Sequence, residues 1–259
     1  MPNLTVNGTE LYYEDEGAGR PVVFLHGWGT SGRVWNAQLP EFVREHRVIT
    51  LDWRGCGRSG RPAAGNTIAG VVADVVSVLD QLALDAPIVV GSSIGAVFGT
   101  DLALRHPGRI GGLVVVDGPG YWPATAIVDE VLALPGKLAA DRAGTVVDWV
   151  SGWYAPGVSP ALVDWTVRQV LDAGVYIDEL LTESTTHDPR PLLPGLTVPI
   201  AYLHGELDPA IPLDVPRTCA ALTAAAEFLV IEGAGHMPHQ ERPAEFNASL
   251  RLALKSVAP

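Results

Sequence analysis

The chain runs to 259 residues, 47% of them hydrophobic, which is enough for one well-buried core and near the upper size of a single domain. It carries 17 lysines and arginines against 29 aspartates and glutamates, a formal net charge of −12. That balance argues against nucleic acid and against an anionic membrane as partners, because long-range repulsion opposes both encounters.

At the start of the chain, Leu4 to Val6, an Asn7-Gly8 turn and the alternating segment Thr9 to Glu14 predict a β-hairpin at an antiparallel sheet edge. The runs Val22 to Leu25, Arg47 to Leu51, Pro87 to Val90, Gly111 to Val116, Pro199 to Leu203 and Glu227 to Ile231 are short and largely apolar, as parallel strands buried on both faces require. Helical spacing marks Thr67 to Leu84, Ile94 to His106, which stops before Pro107, and Ala244 to Ser256. Between Asp117 and Pro199 the alternation lapses into a helical stretch of roughly eighty residues, too long for an ordinary loop. Pro119, Pro123, Pro135, Pro156 and Pro160 break it into pieces, and Trp122, Trp149, Trp153, Tyr154, Trp165 and Tyr176 give it aromatic surface. The prolines of the segment Pro189 to Pro194 mark the return to strand-helix alternation.

Chemistry enters where the run Ala86 to Val90 gives way to helix, in Gly91-Ser92-Ser93-Ile94-Gly95. A serine on a sharp strand-to-helix turn needs neighbours without bulky Cβ substituents, and Gly91 and Gly95 supply them. Ser93 is the candidate nucleophile. Upstream, the strand ending in His26-Gly27-Trp28-Gly29 offers backbone donors; downstream, Gly205-Glu206-Leu207-Asp208 follows a strand and carries a carboxylate, and Gly233-Ala234-Gly235-His236 ends a third. The order is Ser, Asp, His, as distinct from the orders of chymotrypsin and subtilisin.

These segments, together with Asp52-Trp53-Arg54-Gly55-Cys56-Gly57-Arg58-Ser59 and Gly233-Ala234-Gly235-His236-Met237-Pro238, resemble the α/β-hydrolase superfamily over essentially the whole chain. The resemblance implies an α/β-hydrolase fold: a mostly parallel, eight-stranded twisted sheet flanked by helices, divided as core 1–118, helical cap insertion 119–194 and core 195–259. It implies Ser93 as nucleophile, His236 as base and Asp208 as the carboxylate that holds the imidazole tautomer, with Asp117, at the end of its strand, as the rival acid. The backbone N–H groups of Trp28 and Ile94 are the expected oxyanion donors. Trp28, Trp122, Trp153 and Met237 are the candidate pocket residues. His239 is expected in the pocket or at the surface, His26 and His204 as hydrogen-bonded structural residues, and Asp52 and Arg54 as organisers of the loop region.

The function this implies is cofactor-independent serine hydrolysis of a small, mainly apolar carboxylic ester or lactone through an acyl-enzyme, with no metal and a small molecule as the only partner. The sequence leaves the oligomeric state open. Haloalkane dehalogenases and epoxide hydrolases carry aspartate where Ser93 stands, and carbon-carbon bond hydrolases typically carry asparagine where Ser92 stands. Perhydrolase or lyase activity, or a small-molecule receptor on the same fold, are the alternatives. Cys56 and Cys219 lie far apart without metal-ligand spacing and are expected as free thiols. No basic-flanked apolar leader or long apolar stretch stands out, so the expected location is cytoplasmic, and the sequons at Asn3 and Asn7 read as surface and turn residues.

Overall fold

The short apolar runs assemble into one eight-stranded sheet in the computed structural model, which describes residues 2–123, 126–225 and 227–258. The strands are β1 (Asn3–Val6), β2 (Thr9–Gly17), β3 (Arg20–Leu25), β4 (His46–Leu51), β5 (Ile88–Ser92), β6 (Gly112–Val116), β7 (Ile200–Gly205) and β8 (Glu227–Ile231). Their order across the sheet is β1-β2-β4-β3-β5-β6-β7-β8, with β1 and β2 antiparallel and the remainder parallel. Every residue of β5 and of β6 is buried, and apart from Ser92 at the end of β5 both segments are apolar, as burial on both faces requires. The edge strand β8 is only half-buried and opens on a charged residue, Glu227.

Helices α1 (Leu39–Phe42), α2 (Ile68–Gln81) and α3 (Ile94–Arg105) precede β6; α4 (Ala126–Ala140), α5 (Arg142–Ser151), α6 (Pro160–Asp172) and α7 (Glu179–Thr186) stand between β6 and β7. The chain closes with α8 (Asp214–Thr223), α9 (Pro238–Glu241) and α10 (Pro243–Ser256). At the start of α2 the Thr67 hydroxyl accepts the Gly70 N–H at 3.0 Å, satisfying one orphan donor, while Val71, Val75, Val78 and Leu79 turn inward. Helix α3 lies close to the sheet because Gly99 is small: a Cβ there would meet the Leu113 side chain at 2.7 Å.

Strand β2 continues past Glu14 to Gly17, because its second half pairs with β4, Glu14 facing Thr50 and Gly17 facing Arg47. Helix α8 has no counterpart among the helical segments marked in the sequence, although Val215, Cys219 and half-buried Leu222 recur on one face at helical spacing; Pro216, tolerated in the first turn, reads in sequence as a breaker. Cys56 and Cys219 are free and buried. Among the described residues no helix is long and apolar enough to cross a membrane.

The loop after β4 is fixed by two carboxylates. Asp52 accepts the Gly32 N–H at 2.7 Å and the Arg58 N–H at 2.9 Å, and Arg54 makes a bidentate pair with buried Asp74, both contacts 2.6 Å, tying the loop to α2. Three histidines, His26, His204 and His239, are wholly buried. The His26 ring stacks on Trp53 at 5.2 Å, and His239 on Trp35 at 4.3 Å. His239 is therefore neither at the surface nor in a pocket: its ring fills the space between Trp35 and Phe246, and neither ring nitrogen meets a partner among the described residues.

Burial disfavours the imidazolium form and pulls the His26 pKa down to about 4 against the partial opposition of the Asp52 charge; burial, with the neighbouring His236, pulls His239 down to about 3. Unfolded histidines take up protons as pH falls through about 6.5 while these two resist, so as pH drops towards the folded values His26 removes roughly 3 kcal/mol of stability and His239 roughly 5 kcal/mol. The thermal midpoint is expected to fall steadily from about pH 7 to about pH 4.5, and less steeply in His239→Phe, which keeps a ring against Trp35 and cannot titrate. An unchanged slope in that variant would remove His239 from the account.

Candidate active site

Strand β5 ends at Ser92, α3 begins at Ile94, and the single residue between them, Ser93, takes φ 53° and ψ −123°. That conformation costs a non-glycine residue on the order of 1–3 kcal/mol and persists only where the surroundings impose it. Here they do: the Ser93 N–H donates to Val116 O at 2.9 Å, and the two glycines allow backbone to cross backbone. A Cβ on Gly91 would meet Gly95 O at 2.3 Å, and one on Gly95 would meet Leu25 O at 2.5 Å. The serine hydroxyl is thereby held at the carboxyl end of the sheet, beside the loop after β3.

His236 comes from the loop after β8. Its Nε2 lies 3.0 Å from Ser93 Oγ and its Nδ1 2.8 Å from Asp208 Oδ2, so the three residues form one hydrogen-bonded line across three strand ends. Asp208, two residues into the turn that follows Glu206, is almost fully buried and accepts the Ala210 and Ile211 N–H groups on Oδ1 at 2.8 and 3.0 Å. Burial pushes the Asp208 pKa upward, but the charge and hydrogen bond of His236, with His204 and the Ile211 N–H, outweigh it and hold the carboxyl below its ordinary range.

Asp117 lies at the end of β6 with φ 46° and is completely buried. Its Oδ1 accepts the Gly205 N–H at 2.8 Å, so the side chain ties β6 to β7 and does not cap the segment that follows it. Burial, reinforced by the neighbouring Asp208 charge, raises its pKa well above the ordinary carboxylate value. Its second oxygen meets no partner among the described residues. The two carboxyl groups are thus pushed in opposite directions, and the ionised one faces His236. His204 stands between them, 3.4 Å from Asp117 and 3.6 Å from Asp208, with Nε2 donating to Ile211 O at 2.9 Å. Burial lowers its pKa against the opposing pull of the Asp208 charge.

The loop after β3 is braced from below. His26 Nδ1 donates to Gly27 O at 2.8 Å, Thr30 Oγ1 donates to the same carbonyl at 3.0 Å, and Trp53 Nε1 donates to His26 O at 3.1 Å. Gly27 packs directly on Ser93, where an added Cβ would come 3.4 Å from the serine Cβ. The backbone N–H groups of Trp28 and Ile94 meet no acceptor among the described residues. The Trp28 indole donates to Ile177 O at 3.2 Å and tilts against Trp149 at 5.1 Å, joining this loop to the helices between β6 and β7.

Ser93 and His236 open on a cavity of about 480 Å³, within the range of small-molecule sites. Trp28, Trp122, Trp153 and Met237 all line it, with Trp149, Val131 and Leu134 adding apolar wall and Glu130, Lys137 and Asp148 contributing charge. Ligand atoms of Asp117, Asp208 and His236 lie within 4.8 Å of one another, the one cluster of metal-ligating side chains among the described residues. Its imidazole Nδ1 is already engaged by Asp208, and the arrangement is that of a proton-holding line.

Sequence reasoning did not single out Glu241. Its Oε1 accepts the Met237 N–H at 3.0 Å, and its Oε2 accepts the Gly235 and Ala155 N–H groups, each at 2.9 Å. A carboxylate reaching back to the residue that precedes a short helix is a variant of the capping box, and Pro238 as the first residue of α9 was the available signal.

The family model of the alpha/beta hydrolase family matches residues 22–249. The chain is 30% identical to a non-heme chloroperoxidase of Streptomyces lividans, with 97% of this chain and 98% of that protein covered. It is also 30% identical to a pimeloyl acyl-carrier protein methyl ester esterase of Edwardsiella ictaluri, covering 93% of this chain and 95% of the relative. Among solved structures, an esterase from Exiguobacterium antarcticum superposes with a TM-score of 0.91 at 26% identity, over 98% of this chain and 99% of that one. The chain belongs to the alpha/beta hydrolase family, and its eight-stranded, mostly parallel sheet flanked by helices is that family's fold. It is a hydrolase of the alpha/beta class.

Proposed function

We propose that the protein is a cofactor-independent serine hydrolase that cleaves a small, mainly apolar carboxylic ester or lactone through an acyl-enzyme. The observation that carries this reading is the hydrogen-bonded line Ser93–His236–Asp208 opening on an aromatic-walled cavity of about 480 Å³. Relatives named as a methyl ester esterase and an esterase support the ester class.

In this mechanism Ser93 Oγ–H donates to His236 Nε2, and the imidazole takes the proton as Oγ attacks the carbonyl carbon. The Trp28 and Ile94 N–H groups donate to the developing oxyanion; they cost no reorganisation, since the loop bracing and the helix start already fix them. Nδ1–H donates to Asp208, whose ionised carboxylate stabilises the transient imidazolium and holds the tautomer that leaves Nε2 free to accept. His236 then returns its proton to the leaving alkoxide, and water activated by the same ring hydrolyses the acyl-enzyme. The helical segment 119–194 acts as a cap in this reading: Trp122, Trp149 and Trp153 shield the reacting carbonyl from bulk water and bind the apolar part of the substrate.

Steady-state hydrolysis across aryl esters of graded acyl length and several lactones tests the reading against Ser93→Ala. Serine-dependent turnover is expected, with kcat falling roughly 10⁴- to 10⁶-fold in the variant. A folded native protein that turns over no member of the panel, while Ser93 still reacts with a phosphonate, would favour a receptor.

The opposed states of the two carboxyl groups give a second test. Asp208→Asn is expected to lower kcat by about 10⁴-fold, the effect of the same change in a serine protease. Asp117→Asn keeps a side-chain oxygen that accepts the Gly205 N–H and leaves the Asp208–His236 contact in place, and activity is expected within about tenfold of native, about 1.4 kcal/mol in barrier. The reverse ranking in kcat would move the acid to Asp117.

A further inference from the structure

We infer that Glu241 is a positioning residue that fastens the loop bearing His236 to the segment 153–155 of the helical region, so that the imidazole keeps its place over Ser93 only while that segment is docked. The inference rests on the reading of His236 as the base.

Three successive backbone N–H groups, those of Gly235, His236 and Met237, determine where the histidine ring points. The outer two donate to the Glu241 carboxylate, at 2.9 and 3.0 Å. The middle one donates to Trp153 O at 2.8 Å, outside the loop altogether. The same carboxylate reaches out to the Ala155 N–H at 2.9 Å, so one side chain holds both partners of the joint. Gly235 lets them touch: a Cβ there would meet Ala155 N at 2.6 Å and Trp153 O at 2.7 Å. Trp153 then continues the contact into the cavity, its ring lying edge-on to His236 at 6.1 Å and against Trp149 at 5.3 Å.

Hydrogen bonds to an ionised acceptor are roughly twice as strong as neutral ones, and three on one carboxylate leave the loop little freedom. A glutamine cannot replace it. With its carbonyl oxygen on the Gly235 and Ala155 donors, the amide NH₂ is set against the Met237 N–H, donor against donor; the opposite orientation leaves two donors unpaired. Either way the loop relaxes, and a displacement of about 1 Å in a reacting group costs on the order of 10²-fold in rate. The residue touches neither Ser93 nor the cavity wall, so substrate binding is not its business.

The test is Glu241→Gln and Gly235→Ala in the full chain, with kcat and KM resolved separately on the best aryl ester, the rate constant for phosphonate labelling of Ser93, and near-UV circular dichroism as a check of packing. Both variants are expected to lose about 10- to 100-fold in kcat and in labelling rate, with KM within about threefold of native. A folded Glu241→Gln with native kcat and labelling rate overturns the inference, as does a loss confined to KM. If Glu241→Gln does not fold, Gly235→Ala, which keeps the carboxylate and only forces the two segments apart, decides by the same limits. Ser93→Ala measured alongside separates the two readings: if it retains activity the serine mechanism falls, whereas loss in Ser93→Ala with native behaviour in both joint variants removes Glu241 alone.

Discussion

Ser93 occupies a backbone conformation that an L-residue adopts only under compulsion, φ 53° and ψ −123°, and much of the molecule exists to compel it. The central strands β5 and β6 are buried on both faces and cannot shift without losing core, so the end of β5 is a fixed point. From that point α3 must start at once, and it can do so only because Gly91 and Gly95 let the turn pass within 2.3 to 2.5 Å of neighbouring carbonyl oxygens, measured to the Cβ positions they lack. The strain is offset by the packing of a helix and two strands, and the hydroxyl is left facing the other strand ends.

Electrostatics then differentiate side chains that composition cannot tell apart. Asp117 and Asp208 follow neighbouring parallel strands and both are buried, yet the pKa of one is raised well above the ordinary carboxylate value and that of the other is lowered. The difference comes from partners. Asp208 has an imidazole at 2.8 Å and two backbone N–H groups on its other oxygen, whereas Asp117 has one N–H and a neighbouring negative charge. Two like charges this close cannot both persist in a dry interior, so ionising one suppresses the other.

The parts of this design visible in the sequence are those set by local rules. Strands β3 to β7 are legible as apolar runs, the elbow as Gly-x-Ser-x-Gly, and the chain order Ser93, Asp208, His236 as a pattern, because each follows from steric or periodic constraints within a few residues. Helix α8 was hidden because Pro216 in its first turn reads as a breaker, and the full length of β2 because its outer half is paired but exposed. His239, three residues from His236, looked polar enough for a pocket or the surface; its position against Trp35 depends on a helix and a loop some two hundred residues apart, which periodicity does not register. Glu241 was legible only in part: Pro238 marks the helix start that it caps, but its bond to the Ala155 N–H, 86 residues upstream, leaves no local trace.

Contacts of that long-range kind decide how independent the helices between β6 and β7 are of the sheet. They are tied to it by the Trp28 indole on Ile177 O, by the Tyr154 hydroxyl bonded to Gln240 at 2.7 Å, and by the hydrogen bonds around Gly235 and His236. Further ties run elsewhere: the Ser31 hydroxyl donates to Gln169 at 2.6 Å, the Gly174 N–H to Gly55 O at 2.8 Å and the Ile68 N–H to Glu183 at 2.8 Å. All of these end on loops or helix starts, so a displacement of this helical region large enough to admit a bulky ligand loads those loops, the two that flank the serine among them, before it loads the strands, whose ladders are continuous from β2 to β8. The sheet supplies a rigid frame for the serine, while the imidazole beside it is only as well placed as the aromatic roof above the cavity. On the serine-hydrolase reading, filling the roof correctly and ordering the base become one event, a physical basis for selecting substrates by shape at the step of acylation.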